Sequence, residues 1–114
     1  HVPHTKETDH MFNMKIFRKM KKSAFLINTS RGKIVNEKDL VTALKKKMIA
    51  GVGLDVFEIE PISKKHPLVK LQNVVLAPHI GSSTKETRIK MAEITVKNLN
   101  LGMSGKKPIY SVGY

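Results

Sequence analysis

The sequence predicts an α/β fold, a parallel sheet with crossover helices, on three observations. Residues 24–28, 50–56 and 73–77 are short apolar runs bounded by polar residues, too brief for helices and of the kind that forms strands buried on both faces. Segments with helical spacing separate the first two runs and follow the third. The resulting order of strand, helix, strand, loop, strand, helix is that of parallel strands joined by crossovers.

Each element has its own local signal. The opening His1-Val2-Pro3-His4-Thr5 resembles neither a signal peptide nor an initiator methionine, and residues 1–7 read as a loop leaving a preceding strand. Met14, Ile16, Phe17 and Met20 give residues 13–21 a mixed apolar helical face. The first strand follows and delivers Thr29-Ser30-Arg31-Gly32 at its carboxyl end. Asn36 offers a helix N-cap with Asp39 in the first turn, Leu40, Val41, Leu44 and Met48 recur at helical spacing, and Lys45 to Lys47 load the far end with positive charge. The second strand carries Gly51 and Gly53, which permit close approach of a neighbouring backbone, and then delivers Asp55, Glu58, Glu60 and Pro61. Residues 62–72 read as an irregular connection with one turn near His66-Pro67-Leu68. The third strand ends in Pro78-His79-Ile80-Gly81-Ser82, after which Ser83 and Glu86 form a capping box and Ile89, Ala92, Val96, Leu99 and Met103 recur at helical spacing.

Composition narrows the function classes. The 114 residues make one domain or part of one, with a thin core. There is no cysteine, which removes disulfides, thiolate metal sites and a cysteine nucleophile together and fits the cytoplasm. No apolar run reaches membrane-spanning length. The formal charge of +12 invites a nucleic-acid reading. Yet the clusters Lys21-Lys22, Lys45 to Lys47, Lys64-Lys65 and Lys106-Lys107 are scattered along the chain without aromatic interleaving, which favours solvated faces. His1, His4 and His10 have no carboxylate or histidine partner at ligand spacing, so no metal site is expected, and His66 reads as structural.

Three strand ends thus bring Arg31, then Asp55 with Glu60, then His79 to one edge of the sheet, where α/β folds collect their ligands. An arginine fork matches a carboxylate through two charge-assisted hydrogen bonds. A histidine exchanges a proton with a hydroxyl or carbonyl oxygen near neutral pH, and a neighbouring carboxylate fixes its tautomer and favours its protonated form. These are the needs of a 2-hydroxy acid interconverting with its 2-keto acid. Each residue also has a plainer reading: Arg31 in a structural ion pair, Asp55 in an Asx turn, Glu60 as a solvated loop charge, His79 as a residue that closes a strand.

Asn-Thr-Ser-Arg-Gly at 28–32, Gly-Leu-Asp-Val-Phe-Glu-Ile-Glu-Pro at 53–61 and Pro-His-Ile-Gly-Ser at 78–82 resemble, in order and spacing, the signature segments of the NAD(P)-dependent D-isomer-specific 2-hydroxyacid dehydrogenases. The resemblance runs from the opening His-Val-Pro-His-Thr to Gly105 and Pro108, and within the family it looks closest to glyoxylate and hydroxypyruvate reductases. It implies the second half of a doubly wound (Rossmann) NAD(P)-binding domain over residues 1–83, with a C-terminal helix and tail over 84–114 returning toward a substrate domain. By the same resemblance Arg31 anchors the substrate carboxylate, Glu60 partners the catalytic His79, and Glu58 is a bystander. Thr29, Ser30, Arg31, Asp55 and His79 then border the nicotinamide, Gly81 and Ser82 approach the cofactor, and Val2, Pro3 and Thr5 border its adenosine and phosphate side. The implied cofactor is NAD or NADP, the substrate a small 2-keto or 2-hydroxy acid, and the full-length enzyme a cytoplasmic homodimer. The glycine-rich Gly-x-Gly-x-x-Gly turn that holds the dinucleotide is not in this sequence, since Gly51-Val52-Gly53 lacks the third glycine and the helix. Two other function classes stand beside this one: a catalytically silent interaction module of the same fold, as in the family's transcriptional corepressors, and a basic nucleic-acid-binding module.

Overall fold

The computed structural model, which describes residues 1–111, holds a parallel three-stranded sheet in the order β1 (Phe25–Asn28), β2 (Gly51–Leu54), β3 (Val74–Leu76). Leu26 lies opposite Val52, and Val52 opposite Val74. Before the sheet comes a short helix, α1 (Met14–Phe17), started by Asn13, whose side chain accepts from the Lys15 N–H. Helix α2 (Glu37–Lys45) makes the crossover from β1 to β2. Its predicted N-cap is Asn36, which accepts from the Asp39 N–H at 3.0 Å. The β2 to β3 connection carries a 3₁₀ turn, Pro67–Lys70, capped by His66, so His66 has the structural role expected of it. These elements form one compact unit, His1–His79. The second unit, from Ile80 onward, carries helix α3 (Lys85–Met103). Among the described residues no helix is long and apolar enough to cross a membrane.

The core lies on one face of the sheet. Leu26, Val52 and Leu54 pack there with Phe17, Leu40, Leu44, Ile49 and Leu68. Each fully buried side chain of this set contributes about 1.5 to 3 kcal/mol by leaving water. The expectation of strands buried on both faces is corrected on the other side, where Phe25, Ile27 and Val75 are exposed, about 70% in each case. Phe25 and Ile27 lie over Gly51 and Gly53, whose missing side chains make room for them. Gly51 also meets backbone, because a methyl group there would stand 2.8 Å from the Asn73 carbonyl oxygen.

Three local expectations change. Helix α1 ends at Phe17 instead of Lys21; beyond it the chain continues in tight turns, Lys19 N–H to Ile16 O and Met20 N–H to Phe17 O. Like charges three and four residues apart, from Lys15 through Lys22, oppose a longer helix. Helix α3 is capped by Thr84 instead of Ser83, its hydroxyl accepting from the Thr87 N–H at 3.2 Å, and none of its residues is buried. His4 and His10 do have carboxylate partners: Asp9 reaches His4 at 2.7 Å and His10 at 3.8 Å through a turn too local for ligand spacing to detect.

A reciprocal clasp ties α2 to the loop after β2. The Glu37 N–H donates to Glu58 Oε1 and the Glu58 N–H donates to Glu37 Oε1, both at 2.8 Å. His66 Nε2 stands 3.3 Å from Glu37 Oε2, and His10 Nε2 stands 3.3 Å from Glu58 Oε1. Burial raises the Glu37 carboxyl above its ordinary value, against the lowering effects of the Glu58 amide and of His66. Beside the clasp, the turn after β1 passes directly over the same loop. A methyl group on Gly32 would lie 1.9 Å from the Phe57 carbonyl carbon and oxygen, so only glycine fits.

Gly32→Ala must push two backbones apart and is expected to destabilise the chain by about 2 kcal/mol or more. Gly53→Ala meets only the mobile tip of Ile27, at 2.9 Å, and should cost less. Urea unfolding of the two variants compares them directly, and equal losses would contradict the close packing at Gly32. For Glu37 the sign follows from a raised folded pKa: the folded state holds the proton more tightly than the unfolded one, so stability is lost as pH rises from 4.5 through the folded value. Glu37→Gln removes that loss, so its stability relative to the parent should improve over this window. A constant difference between the two proteins would show that folding does not raise the Glu37 carboxyl.

Candidate active site

Parallel strands end on one edge, and that topology gathers Asn28 through Arg31, Asp55 through Glu60, and Ala77 through His79. The first group is shaped by a residue the sequence reading passed over. Asn28, 6% exposed, accepts at Oδ1 from the Ser30 N–H and hydroxyl, at 3.1 and 3.0 Å, and donates from Nδ2 to the Arg31 carbonyl at 3.0 Å. This Asx turn bends the chain outward just past the strand. Its signal in the sequence was an asparagine closing an apolar run and followed by Thr-Ser. Arg31 emerges exposed, with Nη1 donating to the Ser30 carbonyl at 2.7 Å. Thr29 is exposed as well, its hydroxyl 3.4 Å from His1 Nδ1.

After β2, Asp55 is buried and Phe57 is anchored in the core at 7% exposure. The chain then turns back so that the Phe57 N–H donates to Glu60 Oε1 at 3.0 Å. The other carboxylate oxygen, Oε2, lies 2.8 Å from His79 Nδ1. Glu60 is therefore held at both oxygens, once by a core-anchored amide and once by the imidazole. The His79 contact, followed by the Phe57 amide, keeps its carboxyl below the ordinary carboxylate range, and Asp55 opposes this weakly through its own charge. Glu60 meets His79 and Glu58 does not; Glu58 belongs to the clasp with Glu37.

His79 takes a φ of +56°, in the left-handed region, at the end of β3. A non-glycine residue there costs about 1 kcal/mol or more, a conformation that clusters where function requires it. The turn leaves the imidazole half exposed at the mouth of a cavity of about 610 Å³, lined by Phe57, Pro61, Leu76, Pro78 and the Glu60–His79 pair. Such a volume with an apolar lining and a few convergent polar groups suits a small ligand.

The remaining expected site residues fall in two places. Val2 lies against the carboxyl end of β1, in a smaller cavity of about 230 Å³ shared with Asn28 and Ser30. Pro3 and Thr5 form a local turn, in which the Thr8 hydroxyl donates to the Pro3 carbonyl and the Thr5 hydroxyl to Glu7. Gly81 and Ser82 belong to the second unit. Among the described residues no cluster of histidines and carboxylates is arranged to hold a metal ion.

The glyoxylate reductase of Thermofilum pendens is 56% identical over 108 residues, covering 95% of this chain and 32% of its own length. The glyoxylate/hydroxypyruvate reductase B of Cronobacter sakazakii is 52% identical over 104 residues, covering 91% of this chain and again 32% of its own. The chain thus spans about a third of these curated relatives. Among solved structures, the NADPH-dependent glyoxylate/hydroxypyruvate reductase of Sinorhizobium meliloti, in complex with NADP and malonate, superposes with a TM-score of 0.91 at 38% identity, over 98% of this chain and 35% of that one. Residues 1–81 match the family described as D-isomer specific 2-hydroxyacid dehydrogenase, NAD binding domain. The chain belongs to that family of dehydrogenases and carries part of its dinucleotide-binding domain.

Proposed function

We propose that the chain supplies the nicotinamide side and the acid–base pair of an oxidoreductase that interconverts a small 2-keto acid, such as glyoxylate or hydroxypyruvate, and its 2-hydroxy acid. The observation that carries this reading is the 2.8 Å contact between Glu60 Oε2 and His79 Nδ1 at the edge where the three strands end. The names of its relatives support the substrate class. The resemblance adds a homodimeric, cytoplasmic whole protein.

The donor set on this edge fits a nicotinamide: Thr29 and Ser30 offer hydroxyls, Arg31 a cation, and Asp55 a carboxylate suited to a carboxamide NH₂. We assign these residues and His79 to the nicotinamide, and Val2, Pro3 and Thr5 to the adenosine and phosphate side. NAD(P)H, when bound, supplies the hydride of the reduction. Arg31 binds the substrate carboxylate with the guanidinium N–H groups left beside the one that Ser30 engages. With Nδ1 committed to Glu60, the nitrogen available to an incoming oxygen is His79 Nε2. In reduction the imidazolium donates from Nε2 to the keto oxygen; in oxidation the neutral ring accepts the hydroxyl proton at the same atom. Glu60 does not touch the substrate. It holds the tautomer and balances the imidazolium charge.

The sign of that interaction gives a test in a protein that carries this chain within the full length of its relatives. The hydrogen bond from His79 and the Phe57 amide keep Glu60 ionised across the working range. Glu60→Gln keeps the shape and removes the charge that favours the imidazolium. Reduction of glyoxylate should then fall away at lower pH than in the parent, and oxidation of the hydroxy acid should begin at lower pH. Glu58→Gln still accepts from the Glu37 N–H and should leave both profiles in place. Steady-state rates in both directions across pH decide between the carboxylates. A displaced Glu58→Gln profile with an unmoved Glu60→Gln profile would remove Glu60 from the mechanism.

A further inference from the structure

The opposite edge of the sheet carries a second constellation, built by the same topology. Every connection entering a strand passes there, so Lys22 before β1, Lys45 and Lys47 before β2, and Lys70 before β3 converge although they are scattered in sequence. All four line one cavity of about 810 Å³, with the amides of Gln72 and Asn73 beside them and Leu44 and Ile49 beneath. Asn73 Nδ2 donates to the Ala50 carbonyl at 3.2 Å and ties two of the three connections together.

Among the described residues no carboxylate is paired with these four lysines. The sheet unit directs Asp9, Glu37, Glu58 and Glu60 to histidines, and Asp39 accepts from the Met14 N–H. Among the described residues the one lysine paired with a carboxylate is Lys90, with Glu93 in α3. The carbonyl end of α2 explains Lys45, which complements its dipole. It does not explain Lys22 or Lys70, which arrive from other connections. Lys47 adds a separate observation. It occupies the left-handed position that ends α2, φ +50°, with its own N–H bonded to the Leu44 carbonyl and the next, of Met48, to that of Ala43. Glycine is the usual residue there. Lys47 holds this left-handed position without being glycine, and it lines the cavity.

We propose that this edge is a binding site for a compact polyanion carrying adjacent phosphate groups, distinct from the edge that holds Glu60 and His79. Four ammonium groups without a counter-charge repel one another, and a multiply charged anion relieves that repulsion. Lysines act as point charges, which suits phosphate groups, while the site has no arginine fork to favour a planar carboxylate. The volume lies within the range of small-ligand sites.

Inorganic tripolyphosphate is the probe, titrated into the full chain at about 150 mM salt, where exposed charges further apart than about 8 Å are largely screened. Saturable binding should move the backbone amide resonances of residues 22, 45–50 and 70–73. The double variant Lys22→Gln/Lys70→Gln should weaken it about tenfold. Lys97→Gln/Lys106→Gln removes the same charge from the second unit and should leave affinity nearly unchanged. Equal losses in the two variants would make binding a matter of net charge and overturn the site. So would resonance shifts centred on residues 29–32, or no saturation at this salt concentration.

Discussion

A parallel sheet has two unlike edges, and that asymmetry is the constraint on which the rest of this structure depends. Each crossover must leave a strand at one edge and return at the other. Residues that follow strands are therefore neighbours in space however far apart they stand in sequence. This brings the turn after Asn28, the loop after Leu54 and the end of β3 together, and it segregates charge: carboxylates and histidines at the carboxyl edge, unpaired lysines at the amino edge. Neither edge needs a dedicated scaffold beyond the strands themselves.

Within the carboxyl edge, two glutamates two residues apart serve different ends. Glu58 closes a reciprocal pair of hydrogen bonds with Glu37 and fixes the loop to the start of α2. Glu60, set by the Phe57 amide, reaches His79. The close passage of Gly32 over Phe57 stabilises the same loop from the other side. The loop is thus pinned at successive residues, and the Phe57 amide that sets the Glu60 carboxylate is itself held by packing away from that carboxylate.

Much of this was legible in the sequence because local chemistry fixes it. Asn36 caps its helix where its side chain predicts, the strands fall within the apolar runs, and Arg31, Glu60 and His79 emerge at or beyond strand ends. What was not legible depends on partners distant in sequence. Nothing local distinguishes a strand buried twice from one whose Phe25 and Ile27 lie over glycines on an open face. Ser83 and Thr84 are equally good caps, and only the geometry chooses Thr84. The Asx turn of Asn28, the Glu37–Glu58 clasp and the meeting of Lys22, Lys45, Lys47 and Lys70 belong to the fold; no short window of sequence contains them.

The proposed mechanism requires that Glu60 hold one nitrogen of His79 so that the other is left for a substrate oxygen. That state has a direct spectroscopic signature in the ring nitrogens. With ¹⁵N-labelled histidine and His79 assigned, the neutral imidazole should carry its proton on Nδ1, facing Glu60, and leave Nε2 bare. A neutral His79 protonated on Nε2 would contradict the account, because the ring would then offer Glu60 no hydrogen and a hydroxyl no acceptor.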